Sequence, residues 1–397
     1  MKKLTALFLT LIIVLSLTAC GGSQSGTSGA QTQSTPADGT AKAGDTILVG
    51  CLQDITGPTS ALGMSVEAGA KAAVEEINAN GGVDGRQIVM KTYDTKGDVT
   101  EAVNAYITAV TVDNVAFIVG PPVANIANAI KETSEGYDVP VVGLAMDPAC
   151  QLKEDGTPYK NMFCFQPDAN AQAQIMASFA LENGYKSFGI LYNQENSYSV
   201  SLLTPFVDEL ASNGITIPED MIISYGAADM DYKTLLSPIV NAGVDAIYCP
   251  NYTQQLISIC AAAKELGFEG KIINGLDAAP SFNTIYGDDC SNIYFINNIN
   301  LDDEKTAARV AEISDTVAAA NKYFLGYDIV KAVIGCFEKV GFEDMDALRS
   351  AITEIEYTGM TGTIHMNADT HMPKDCKMFM YTYDYQTPVM ISEYGVD

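Results

Sequence analysis

From Thr46 onward, short β-rich apolar runs alternate with longer segments of helical spacing, and the chain does this in two successive series. Ile47-Leu48-Val49-Gly50-Cys51-Leu52 is a short continuous apolar strand, after which Val66, Gly69, Ala70, Ala73, Val74 and Ile77 recur at helical intervals. The first series continues as strand 88–93, helix 99–110, strand 116–119, helix 126–135 and strand 140–144. The second runs as helix from Ala171, strand 188–192, helix 200–210, strand 221–225, helix 234–241, strand 246–249, helix 255–266 and strand 271–274. Strands joined through helices make parallel sheets covered on both faces, so the fold class is α/β with two doubly wound lobes. A last parallel strand at 293–296 precedes three helices (304–320, 324–340, 345–355) and three strands (363–366, 378–383, 389–393) that must pack on existing lobes. The chain is expected to cross between lobes near 165–167, 296–298 and 357–361. That gives a first lobe of 46–166 plus 298–357 and a second of 167–297 plus 358–397.

The segment before this body reads differently. Lys2 and Lys3 precede an apolar run from Leu4 to Leu15, too short to span a bilayer, and Leu17-Thr18-Ala19-Cys20 follows. This matches a secretory signal over 1–19, and its ending resembles the bacterial lipoprotein signal, which implies a lipid on the Cys20 sulfur; a cleaved signal with an incidental Cys20 and an uncleaved anchor are the alternatives. Residues 21–45 are dominated by Gly, Ser, Thr, Gln and Ala and cannot bury enough surface to fold. A flexible coil of this length reaches roughly 25–30 Å, so the body is expected to work on a tether outside the membrane.

The formal charge is −27 and becomes −29 without Lys2 and Lys3. Such an acidic chain is a poor candidate for binding nucleic acid, since phosphates demand Lys and Arg. Nine cysteines occur with no Cys-x-x-Cys spacing, which removes zinc-ribbon and thioredoxin readings. Cys51, Cys249, Cys260 and Cys336 lie in apolar runs and read as small buried hydrophobes. Cys150 and Cys164 flank an Asp155-Gly156 turn that could bring them together as a disulfide; two free thiols are the alternative.

In parallel sheets the ligand crevice lies beyond the carboxyl ends of the strands, so the loops leaving each strand form the candidate site. These are 54–58, 120–125 and 145–148 in the first series, and 193–198, 250–252 and 276–278 in the second. Carboxylates beside aromatic faces suit an ammonium group, and backbone amides at a helix start suit a carboxylate. Asp147 before Pro148 also reads as a turn cap, and Tyr252 as packing.

Thr56-Gly57-Pro58, Gly69-Ala70-Lys71-Ala72-Ala73 and the run from Glu76-Ile77-Asn78 through Gly81-Gly82-Val83-Asp84-Gly85-Arg86 resemble the leucine/isoleucine/valine-binding protein family. Val119-Gly120-Pro121, Gly326-Tyr327-Asp328 and Tyr357-Thr358-Gly359-Met360-Thr361-Gly362 extend the resemblance over nearly all of 46–397. It implies the type I periplasmic-binding-protein fold, two lobes on a three-stranded hinge. It also implies a monomeric receptor without cofactor that hands a small solute to ABC permease and ATPase subunits. Tyr198, Tyr252 and Asp277 stand where that family holds the ligand's ammonium. On the carboxylate side, Ala124, with Asn125 next to it, and Asp147 stand where the family has hydroxyl residues, which points toward an amide, a diamine, a cationic amino acid or another small amine. The candidate ligand-contacting set is Leu62, Val123, Ala124, Asn125, Ala145, Met146, Asp147, Tyr198, Tyr252 and Asp277.

A sensory protein presenting its ligand to a membrane receptor is the alternative reading, and an exported hydrolase using Asp147 and Asp277 a third. No nucleophile elbow, His-Glu-x-x-His or phosphate loop is present, and the two histidines, His365 and His371, read as surface residues rather than metal ligands.

Overall fold

The computed structural model describes residues 46–226, 228–229, 231–278 and 281–396, without the side chains of Asp277 and Ser281; the signal segment, Cys20 and the tether lie outside the described residues. The first lobe opens β1 (Thr46–Gln53), α1 (Ser60–Ala79), β2 (Gln87–Asp94), α2 (Val99–Thr111), β3 (Ile118–Val119), α3 (Ala124–Ser134), β4 (Val141–Gly143) and β5 (Met162–Cys164). The second lobe follows with α4 (Ala169–Glu182), β6 (Phe188–Asn193), α5 (Ser197–Ser201), α6 (Leu203–Ser212), β7 (Ile222–Tyr225), α7 (Tyr232–Ala242), β8 (Ala246–Tyr248), α8 (Thr253–Glu265), β9 (Lys271–Asn274), α9 (Ser281–Tyr286) and β10 (Ile293–Asn297). Then come α10 (Glu304–Ile313), α11 (Ala320–Val340), α12 (Met345–Thr353), β11 (Glu356–Gly359), β12 (Gly362–Asn367), β13 (Met372–Lys374), β14 (Cys376–Asp384) and β15 (Thr387–Val396).

The first sheet has the order β2-β1-β3-β4-β5 and is parallel throughout. The second has the order β15-β14-β10-β9-β8-β6-β7, parallel from β10 to β7, with β14 and β15 added antiparallel at one edge. Alternation within each strand explains why the strands read as unbroken apolar runs. Val119, Val142 and Phe163 enter a core with α1, α11 and α12, while Ile118, Val141 and Met162 enter another with α2 and α3. In the second sheet Ile190, Ala246 and Ile273 face α4 and α6, while Leu191, Ile247 and Ile272 face α7 and α8. The inner parallel strands of each sheet are thus buried on both faces, as parallel sheets require.

The α1–α11 crossing depends on two glycines. A Cβ on Gly69 would lie 1.8 Å from the Tyr323 carbonyl oxygen, and one on Gly326 would lie 2.2 Å from that of Val66. The helices therefore meet backbone to backbone. Two residues after Gly326, the buried carboxylate of Asp328 accepts from Thr361 N (2.9 Å), Thr361 Oγ1 (2.8 Å) and Met360 N (3.2 Å), pinning the β11–β12 turn to α11.

Three features differ from the sequence expectations. The strands after residue 356 stay with the first lobe further than the boundary at 358 allows. Ile364 and Met366 belong to its core, Cys164 N–H donates to His371 O, and only at Cys376 does the chain enter the second sheet. Cys150 and Cys164 are free, not bonded, because each thiol turns to a carbonyl of its own surroundings, Cys150 to Ala124 O and Cys164 to Gln166 O. His371 is buried rather than a surface residue. Its ring stacks on Phe163 at 4.2 Å and its Nδ1 lies 3.0 Å from Met162 O, an environment created by β13 folding onto β5. Cys51, Cys249, Cys260 and Cys336 are buried free thiols, as expected.

Candidate functional site

Strand order reverses between β1 and β3 in the first sheet and between β6 and β8 in the second, and at such switch points the loops part to leave a crevice. The loops leaving these four strands line one cavity of about 400 Å³, with walls from Leu62, Val123, Ile126, Tyr252 and Leu276. The volume lies in the roughly 300–1,000 Å³ range of small-molecule clefts.

Buried and half-buried polar side chains hold these loops. Asp54 accepts from Gly57 N (2.6 Å), Thr59 N (2.8 Å) and Thr59 Oγ1 (2.7 Å), which folds the β1 loop into the start of α1 and aims Leu62 at the cleft. Asp94 accepts from Ile55 N and Thr56 Oγ1; burial pushes its carboxyl up, but these bonds and that from Lys96 N outweigh it and hold the group below the usual range. In the second lobe Asn274 Nδ2 donates to Cys249 O (2.7 Å) and Asn251 O (3.1 Å). Asn251 in turn donates to Leu191 O (2.9 Å) and accepts from Tyr225 OH. Unpaired buried polar groups are costly, so this satisfied network gives the Tyr252 loop one conformation.

The lobes touch directly at the rim. Asn125, at the start of α3, donates from Nδ2 to Glu195 O (3.0 Å) and accepts at Oδ1 from Ser197 N (2.9 Å). Beside it, Val123 and Ile126 of the first lobe pack with Leu62 and with Tyr252 of the second. The Tyr252 ring stacks on that of Tyr198, with centroids 5.3 Å apart.

Of the residues predicted from sequence, Leu62, Val123, Asn125 and Tyr252 line the main cavity. Ala124, Ala145, Met146 and Tyr198 line a second void of about 10 Å³, which shares Leu62, Val123 and Tyr252 with it. Tyr198 is fully buried, its hydroxyl directed at Gly275. Asp147 is not brought to either space. It caps a 3-10 turn over Pro148–Cys150, accepting from Ala149 N (3.0 Å) and Asn128 Nδ2 (3.1 Å), and lines an outer groove instead. The carboxylate anticipated on the ligand's acid side is a turn cap. The side chain of Asp277 lies outside the described residues.

Two residues that the sequence reading missed stand on the cavity wall, Asn321 and Lys322 in the first turn of α11. Both are buried, at 1% and 4% exposure. Nothing in their surroundings in sequence, Ala318-Ala319-Ala320 before and Tyr323 after, marks a site. Among the described residues no cluster of His, Cys, Asp and Glu could hold a metal ion, and no helix is long and apolar enough to cross a membrane.

Two doubly wound lobes whose switch points open on a shared cleft make up the type I periplasmic-binding-protein fold. The chain belongs to the periplasmic binding protein family, whose model matches residues 46–387. The Leu/Ile/Val-binding protein BraC3 of Rhizobium johnstonii is 26% identical over 318 residues, 78% of this chain and 83% of that one. Among solved structures, a leucine-binding protein LivK from Thermotoga maritima shares the fold with a TM-score of 0.79 at 23% identity, over 88% of this chain and 99% of that one. An ABC-transporter solute-binding protein from R. palustris, solved with 4-hydroxybenzoate, has a TM-score of 0.78 at 16% identity over 89% and 98%. Family and fold are those of extracytoplasmic solute-binding proteins rather than enzymes.

Proposed function

We propose that this chain is an exported, lipid-anchored receptor that captures a small amine-bearing solute, an amino acid or close relative, between its lobes and delivers it to an ABC importer. The observation that carries the reading is that both switch points open on one shared cavity, bridged at its rim by Asn125. A solute touching both walls favours the closed arrangement, because only there does it gain both sets of contacts. Tyr252 offers an aromatic face to the solute's ammonium group, with Asp277 as the expected counter-charge. Cys20 would carry the lipid, and 21–45 would be the tether.

The test uses the unlipidated body from Asp45. Thermal-shift screening of amino acids, amides, polyamines and small amines should yield a stabilising solute, since ligand at a thousand times its dissociation constant stabilises by about 4 kcal/mol. Small-angle scattering should then show compaction with that solute, and the solute should be recovered unchanged. A calorimetrically verified ligand that leaves the radius of gyration unaltered would refute capture by closure.

A further inference from the structure

On the first-lobe loops the acid side of the solute meets the uncapped start of α3 but no free side-chain donor. Ala124 and Ala145 carry no side-chain donor, both ends of the Asn125 amide are engaged by the second lobe, and Asp147 is a turn cap outside the cavity. The start of α11, on the same lobe, does bring side-chain donors. This helix has 21 residues, and Ala318, Ala319, Asn321 and Lys322 at its start all line the cavity. Its N-cap is Ala319, which supplies no side-chain cap. A helix start carries a partial positive charge and N–H groups without intrahelical acceptors, which favours an anion.

A second observation points to a ligand at the same place. The Asn321 side chain accepts at Oδ1 from Lys322 N (2.9 Å), which fixes the amide's orientation. Its Nδ2 is buried and has no hydrogen-bond partner among the described residues. Buried donors are normally satisfied, and one that is not, on the wall of a ligand cavity, is placed for an acceptor arriving with the solute. Lys322 brings a buried ammonium with three donors to the same wall and to the inner void, so it can serve an incoming oxygen alongside its contacts within the protein.

We infer that the N-terminal wall of α11, through Asn321 Nδ2 and Lys322 Nζ, holds the carboxylate of the solute. This rests on the receptor reading above and adds its ligand class, a small carboxylate with an apolar body against Leu62, Val123 and Leu276. Carboxylate oxygens can accept from the amide and the ammonium together, and charge-assisted bonds of this kind are about twice as strong as neutral ones.

The test compares acids with their neutral amides on the unlipidated body. Leucine and leucinamide form one pair, 4-hydroxybenzoate and 4-hydroxybenzamide the other. At least one acid should bind by calorimetry, and roughly tenfold or more tighter than its amide. Lys322→Met and Asn321→Ala should each weaken the acid more than the amide and so shrink that ratio. The wild-type ratio tests the wall even where Lys322→Met fails to fold. Equal binding of acid and amide, or equal loss of both in the two variants, would overturn the assignment. If neither acid binds but a polyamine or amide compacts the body in scattering, the carboxylate wall falls and the receptor stands. If no solute of any class binds, the receptor reading falls and takes this inference with it.

Discussion

Asn125→Ala isolates the energy of lobe closure from the energy of solute contact. The wild-type amide makes two hydrogen bonds across the cleft, at 3.0 Å to Glu195 O and 2.9 Å from Ser197 N, and both exist only while the lobes are together. They lie at the exposed rim, so each contributes about 0.5–1 kcal/mol net, the lower part of the usual range. Losing the pair shifts the open–closed balance by about 1–2 kcal/mol, roughly 5- to 30-fold. In a free protein that is mostly open, the whole of that factor passes into the apparent dissociation constant. The bonds form after encounter, so the loss should fall on the dissociation rate, read by stopped-flow displacement, with the association rate nearly unchanged. Asn125→Asp sharpens the test. It keeps the acceptor for Ser197 N but sets a carboxylate oxygen against Glu195 O, so it should weaken binding at least as much as alanine. Unaltered affinity and dissociation rate in both variants, with unaltered scattering of the liganded body, would refute the view that Asn125 latches the lobes.

Two further outcomes test the scaffold. Burial holds the His371 imidazole below its ordinary value of 6.5, against smaller opposing effects of the Met162 and Tyr159 carbonyls and of Glu135, so the fold keeps it neutral. As pH falls below about 6.5 the unfolded chain binds a proton that the folded chain refuses, and stability is lost down to the lower folded value; His371→Phe, which keeps a ring against Phe163, should remove a slope of at most about 1.4 kcal/mol per pH unit from denaturant-melt stabilities, and identical slopes would contradict the burial. Gly326→Ala places a methyl 2.2 Å from Val66 O, so α1 and α11 must separate, and a loss of about 1–3 kcal/mol is expected in chemical denaturation; wild-type stability would show that the crossing yields without cost.

The inner parallel strands were legible because both of their faces are buried, which leaves an apolar run as the only consistent pattern, while the edge strand β2 was legible from its alternation. Strand 271–274 matches β9 in full, and β1, β2 and β6 lie within a residue or two of the expected spans. The strands that escaped are those without that pattern. β5 has only three residues, β11 alternates exposed and half-exposed positions, and β13 contains Pro373, which reads against a strand. Missing β13 is what sent the stretch from 358 to the wrong lobe and His371 to the surface. At the site, the loops could be located but not the direction of each side chain. Asp147 stands beside cavity residues in sequence, yet Asn128 on the preceding helix α3 and the Ala149 amide turn it outward, a tertiary contact that no local spacing records.

Asn321 and Lys322 were hidden for a related reason. The sequence predicts one helix through residue 320 and the next from 324, whereas α10 stops at Ile313 and α11 begins at Ala320. A helix start is recognised by Ser, Thr, Asp or Asn at the cap, and Ala319 gives no such signal. Other helices in the chain do carry it, as Asp98, Asp303 and Asp344 cap α2, α10 and α12 with carboxylates that accept from the first turn. A carboxylate at position 319 would satisfy the first turn of α11 from within and set a negative charge on the cavity wall. Alanine sets no charge on that wall and leaves Asn321 Oδ1 to accept from Lys322 N, so the feature that conceals the helix start also keeps the wall free of a carboxylate that would repel an anionic solute.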